Sequence, residues 1–186
     1  MAINDARIMK RYLLVQTAFA YPQVVLIEEG KVARIWDTKQ TRETLQFLMR
    51  VLADIEDVSI DALIFIHGPG SFTALRVGAT WVNTLAFVKK MPIYQIDALT
   101  YIAMVTGIPK DSIAITYDSK RFFLTEKELI VESPSAPQKH IINPDQNPIM
   151  ITNETVALLI ASLTDSVTQT DVLYIVPPKI TLPRAE

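Results

Sequence analysis

The chain has 186 residues, 49% hydrophobic and 20% charged, with a net charge of -2 and no cysteine. That is enough for one domain or two small lobes around a good core, and it excludes binding nucleic acid through a large basic excess, as well as disulfides, thiolate chemistry and Cys-ligated metal. No apolar run approaches the roughly 20 residues of a membrane span and no signal-peptide core opens the chain, so the expected address is cytoplasmic, with no membrane partner.

Residues 1–10 carry no clear period. Tyr12 to Ala18 reads as a buried strand. Val24 to Glu28 and Lys31 to Trp36, joined by Glu29-Gly30, read as an antiparallel hairpin. A helix is expected from about Arg42 to Ile55, with Leu45, Leu48, Met49, Leu52 and Ile55 on one stripe and Phe47 and Val51 on a second. Ala62 to Ile66 is a short apolar strand. A Gly-Pro-Gly breaker follows it, then a long helix from Ser71 to Val88 with Ser71 and Thr73 as natural caps. Ile93 to Ile96 is another strand, and Asp97 can cap a helix from Ala98 to Val105. The order β-β-β-α-β-α-β-α is that of one ribonuclease-H-like lobe of the actin-like ATPase superfold (the ASKHA fold), an α/β architecture.

The remainder reads as a reduced second lobe, giving expected units 1–108 and 109–186. Strands are expected at Ser112 to Tyr117, Arg121 to Thr125 and Glu128 to Glu132. Ser133 to Pro148, with Pro134, Pro137, Pro144 and Pro148, reads as a loop. Ile149 to Thr152 reads as a strand, Asn153 as the cap of a helix from Glu154 to Leu163, and Asp171 to Val176 as a last strand. Prolines make the tail after it extended.

The turn at Gly68, Pro69, Gly70, Ser71, Phe72 and Thr73 supports two readings. One is a phosphate loop at a helix start; the other is a tight strand-to-helix turn. It is neither a Walker loop nor Gly-x-Gly-x-x-Gly, since Thr73 holds the sixth position. Ser71 lacks the Gly-x-Ser-x-Gly elbow and a triad partner, so capping accounts for it better than nucleophilic catalysis. His67 and His140 lack partners at metal-ligand spacing, so no metal site is expected. The first strand carries Gln16 and Thr17, where actin-like ATPases place an Asp, and a neutral amide lacks a carboxylate's charge for Mg²⁺. Asp118 is the only comparable acid. No catalytic residue is expected.

From Val77 to Val88 the long helix carries no charge. Ala74, Gly78, Trp81 and Leu85 form one stripe. A helix apolar on nearly every side needs cover on nearly every side, and a mean hydropathy of +0.24 allows some of that cover to come from another molecule. With Thr44, Phe47 and Val51 of the preceding helix, this stripe is expected to dock on two helices of a partner. A charge at Gly78 or Phe47 is then expected to abolish the pairing with the fold intact.

Gly68-Pro69-Gly70-Ser71-Phe72-Thr73-Ala74-Leu75-Arg76-Val77-Gly78 resembles the TsaB (YeaZ) family signature GPGSFTGLRxG, departing at Ala74. Leu14-Val15-Gln16-Thr17-Ala18 is similar to the family's Ile-Asp-Thr-Ser strand. Tyr117 to Arg121 resembles its second-lobe Asp-Ala-Arg-Arg turn, and Tyr174 with Pro178 to Pro183 its C-terminal end. The resemblance implies a non-catalytic paralogue of the transferase TsaD, working on threonylcarbamoyladenosine in tRNA. The implied partners are a TsaD-like transferase and a TsaE-like ATPase, with self-association as a further pairing and tRNA reached through the complex. The implied dimer uses the two helices singled out above. The chain lacks TsaD's His-x-x-x-His metal site, and no cofactor is expected, ATP or ADP being held only weakly or at a partner interface. The rival expectation is a small ATP-binding or kinase-like enzyme of the same superfold.

Overall fold

The computed structural model describes residues 10–40, 43–117, 120–124, 129–131, 140–143 and 149–171. Five strands form the first sheet: β1 (Tyr12–Gln16), β2 (Gln23–Glu28), β3 (Lys31–Asp37), β4 (Ala62–Ile66) and β5 (Ile93–Ile96), in the order β3-β2-β1-β4-β5. β2 pairs antiparallel with β1 and β3, while β4 pairs parallel with β1 and β5. Leu14 thereby sits opposite Val25 on one side and Ile64 on the other. Every residue of β1 and β4 is buried, as continuous apolar runs predict for central strands covered on both faces. β3 is the edge strand and is largely exposed. Glu29 and Gly30, at φ 51° and 71°, make the tight turn that joins β2 to β3.

The helices are α1 (Thr44–Asp54), α2 (Phe72–Lys89), α3 (Ala98–Thr106) and α4 (Asn153–Ser162). α1 and α2 lie side by side, with α2 on β1 and β4; α3 and α4 form a second pair, with α4 against β3. Two helix pairs supply the cover that strands buried on both faces require. After Pro109 a single turn of 3-10 helix, Lys110–Ser112, leads into a second sheet. This sheet contains β6 (Ile113–Tyr117), β7 (Lys120–Leu124), β8 (Leu129–Val131) and β9 (His140–Ile142), in the order β8-β7-β6-β9.

Two expectations about this second part are corrected. β9 lies inside the proline-rich stretch expected to be a loop and pairs parallel with β6. Three residues between Pro137 and Pro144 are too few to show a strand period. Ile149 to Thr152 is not a strand: Ile149 and Ile151 are buried, but the segment joins no ladder. Alternate burial here comes from packing alone. Asp118, Tyr174 and Pro178 to Pro183 lie outside the described residues.

Residues 149–171 return to the first sheet. The Asn153 side chain, expected to cap α4, instead accepts a hydrogen bond from the Val32 backbone N–H at 2.8 Å. The helix start is closed by Thr152, whose N–H donates to Thr155 Oγ1 at 2.9 Å. Val167 pairs antiparallel with Ile93 through bonds of 3.1 and 2.8 Å. The buried Thr170 is held by Asn83, which donates to its carbonyl at 3.1 Å and accepts from its N–H at 2.8 Å. Gln95 Nε2 donates to the Thr170 hydroxyl.

Candidate interaction site

The glycine turn after β4 is a joint between three strand ends. His67 N–H donates to the Ile96 carbonyl at 3.1 Å, the Ala98 N–H to the Gly68 carbonyl at 2.7 Å, and the Ser71 N–H to the Ala18 carbonyl at 2.7 Å. Gly68 has φ 114°, which favours glycine. Gly70 lies so close to the Ala18 carbonyl that a Cβ would overlap it. Ser71 is the N-cap residue, but its side chain makes no cap bond, contrary to expectation. Its contribution is its backbone, with the carbonyl accepting from Leu75 at 2.9 Å. Thr73 is exposed and Ala74 half-buried. Phe72 and Arg76, one turn apart, stack with the guanidinium 4.5 Å from the ring centre.

Gln16 is fully engaged in holding the β1–β2 connection. Its Nε2 donates to the Tyr21 carbonyl at 3.2 Å and its Oε1 accepts from the Phe19 N–H at 3.1 Å. Among the described residues, no group of three His, Cys, Asp or Glu side chains is placed to hold a metal. Asp118, the acid considered alongside the Gly68 turn, lies outside the described residues.

Asp97 caps α3, accepting from the Thr100 N–H at 2.9 Å, from the Thr100 hydroxyl at 2.6 Å and from Lys110 Nζ at 2.8 Å. Burial works to raise its pKa, but the Lys110 and Thr100 hydrogen bonds prevail and hold it below the ordinary value of 3.8. Burial lowers the His67 pKa below 6.5; Asp97 pulls it up and Lys110 pushes it down further. Both groups therefore bind protons more tightly in the unfolded chain, so stability is lost as pH falls. The His67 contribution is complete above its unfolded value and declines below about pH 6.5; that of Asp97 declines below about pH 4. Urea midpoints measured from pH 8 to pH 4 are expected to fall, and His67→Gln is expected to flatten the upper part of that decline. Asp97→Ala is expected to cost about 1–2 kcal/mol at pH 7 through loss of the cap.

The two helices divide their apolar residues otherwise than expected. Thr44, Phe47 and Val51, expected to face a partner, are buried in the chain's own core at 9%, 3% and 1% exposure. Gly78 is also inside: a Cβ there would overlap Thr17 Oγ1 and crowd the Phe65 ring. These four positions are therefore corrected from interface to core. Leu48 and Ile55 are buried with them, while Leu45 and Met49 are 54% and 52% exposed. On a helix, Leu45 and Met49 lie about 100–140° around from Thr44, so the stripe that leaves the sheet is the other one. Trp81 and Leu85 are buried as well, at 8% and 7% exposure. They line a groove of about 620 Å³ between α1 and α2, along with Leu45, Met49, Val77 and Val88. Val88 and its neighbour Phe87 are 65% and 85% exposed. Arg76 and Lys89 also line the groove.

Residues 38–121 match the family model for TsaD, tRNA N6-adenosine threonylcarbamoyltransferase. Over 100 residues the chain is 33% identical to the tRNA threonylcarbamoyladenosine biosynthesis protein TsaB of Haemophilus influenzae. Over that stretch the chain is similar to the TsaB/YeaZ family. That alignment covers 49% of this chain and 41% of the relative, so the match spans about two fifths of the curated protein's length. Among solved structures, YeaZ from Pseudomonas aeruginosa superposes with a TM-score of 0.50 at 24% identity, covering 67% of this chain and 65% of that one. A protein described as uncharacterized, with similarity to peptidase YeaZ from Pseudomonas aeruginosa, superposes with a TM-score of 0.63 at 18% identity. It covers 90% of this chain and 100% of the other. The fold is the actin-like, ribonuclease-H-like α/β fold expected from the element order. Among the described residues, no helix is long and apolar enough to cross a membrane.

Proposed function

We propose that this chain is a non-catalytic subunit in the biosynthesis of threonylcarbamoyladenosine in tRNA, docking a TsaD-like transferase through the groove between α1 and α2. The relationship to TsaB supports the process. The observation that carries the mode of action is the groove: two side-by-side helices hold up Leu45, Met49 and Val88 to solvent beside the half-buried Val77, an apolar face of the kind that marks a protein contact. The glycine turn beside it is committed to joining strand ends, and Gln16 to the β1–β2 connection, which supports a scaffold rather than a catalyst. On this reading the subunit needs no cofactor of its own, ATP or ADP being held only where it meets a partner. It works in the cytoplasm, also engages a TsaE-like ATPase or a second copy, and reaches tRNA through the complex. A pull-down from the native cell is expected to recover a TsaD-like protein. Calorimetry of the isolated chain with ATP and Mg²⁺ is expected to give no tight binding; tight, metal-dependent binding with ATP turnover would move the assignment to the enzyme reading.

A further inference from the structure

The last turns of α1 and α2, together with the connection 55–60, border a cavity of about 580 Å³. That is inside the range of about 300–1,000 Å³ typical of small-molecule sites. Its apolar walls are Leu52, Ile55, Val58, Ile60, Leu85 and Met91. Ile55, Leu85 and Met91 are buried and form the floor. Glu56, Ser59 and Lys89 are exposed and line it from the solvent side. An apolar floor under a mouth with a few polar groups is the arrangement that holds a small molecule and fixes its orientation. Three segments border this cavity, where the groove has only α1 and α2, so its shape suits a compact molecule rather than a helix.

The charge at the mouth is lopsided. α1 has no basic residue in its last turn, and Glu56 and Asp57 follow it directly. Their carboxylates have the same sign as the carbonyl end of the helix, so nothing local offsets either. Asp54 is already engaged by Arg34 and Trp36, whereas Glu56 forms no ion pair among the described residues. Lys89, which also lines the cavity, lies in the last turn of α2 and offsets the end of that helix. The uncompensated charge is therefore negative and belongs to the end of α1.

We infer that this cavity binds a small amphiphilic amine, with its apolar body on Ile55, Leu85 and Met91 and its ammonium group on the Glu56 carboxylate. Such a site works in the isolated chain and does not depend on a docking partner. A carboxylate of the same shape would meet Glu56 and the end of α1 with like charge. Phenylbutylamine is titrated into the isolated chain and followed by NMR shifts, beside phenylbutanol and phenylbutyrate, which share its apolar body. The amine is expected to saturate and to bind about 5-fold tighter than the alcohol, the gain from one partly exposed ion pair. Phenylbutyrate is expected to bind weakest, and Glu56→Gln to erase the amine's advantage. Ala53 is exposed and lines this cavity but not the groove, so Ala53→Trp fills the cavity from the solvent side and is expected to abolish binding. Leu45 lines only the groove, and Leu45→Glu is expected to bind like wild type. Each variant is checked for an unchanged melting temperature. Absence of saturable amine binding overturns the site. Equal binding of the three compounds, or an undiminished amine preference in Glu56→Gln, overturns the assignment to an amine. Binding lost in Leu45→Glu and kept in Ala53→Trp puts the ligand in the groove instead and overturns the site. A dimer that Ala53→Trp dissolves in sedimentation, with no uptake of the amine, makes a second copy the occupant and overturns it as well.

Discussion

Gly78→Val is expected to destabilise the fold, rather than to give a fully stable protein without its partner. Its Cβ would overlap Thr17 Oγ1 and press on the Phe65 ring. Thr17 and Phe65 are both fully buried, so neither can turn outward to make room. Overpacking of this kind costs about 1–3 kcal/mol or more. Phe47→Ala reaches the same end from the other direction, removing a ring only 3% exposed at about 3–5 kcal/mol. Against a typical margin of about 5–15 kcal/mol, either change alone uses a large part of the stability. Urea unfolding followed by circular dichroism should show midpoints well below wild type. A wild-type midpoint for Gly78→Val would mean that α2 does not lie on β1 and β4 as described.

Leu45→Glu with Met49→Glu should behave in the opposite way. Both side chains are more than half exposed, and surface changes of this sort usually move stability by no more than about 0.5 kcal/mol each. At a covered interface the same carboxylates would be buried without a partner, at several kcal/mol each. Binding to the TsaD-like protein is therefore expected to fall more than about 100-fold, with the melting temperature held. Retention of the partner by the folded double variant would remove the groove as its docking site.

The contrast between these variants shows how much of the molecule the sequence discloses. Strands β1, β4 and β5 are legible because unbroken apolar runs between breakers have one sensible reading. So is the existence of two apolar helices side by side. What periodicity does not contain is which of two apolar stripes faces the sheet. On α1 the stripe through Leu48 and Ile55 and the stripe through Phe47 and Val51 merge on the buried side, while Leu45 and Met49 turn out. The deciding facts are tertiary: α2 sits directly on Thr17 and Phe65 because Gly78 has no side chain, and α1 follows α2. Ser71 illustrates a similar limit. Its identity suggests a hydroxyl cap, yet its backbone makes the contact that matters, and any residue identity is silent about that. β9 was hidden for a plainer reason, being three residues long.

The clasp formed by Val167 and Thr170 bears on how the protein is made. Until residue 167 has left the ribosome, Ile93 lacks its bridge partner on the outer edge of β5. Until residue 170 follows, Asn83 and Gln95 lack the partner that ties this edge to α2. At about 5–20 residues per second, more than seventy residues of further synthesis separate the emergence of β5 from its closure. The early lobe must therefore wait for several seconds with an unpaired strand edge, a template for mispairing. The second sheet is spelled out during that wait, like a parenthesis opened and closed inside one sentence. A nascent-chain chaperone or a slow codon would exert its effect in that interval.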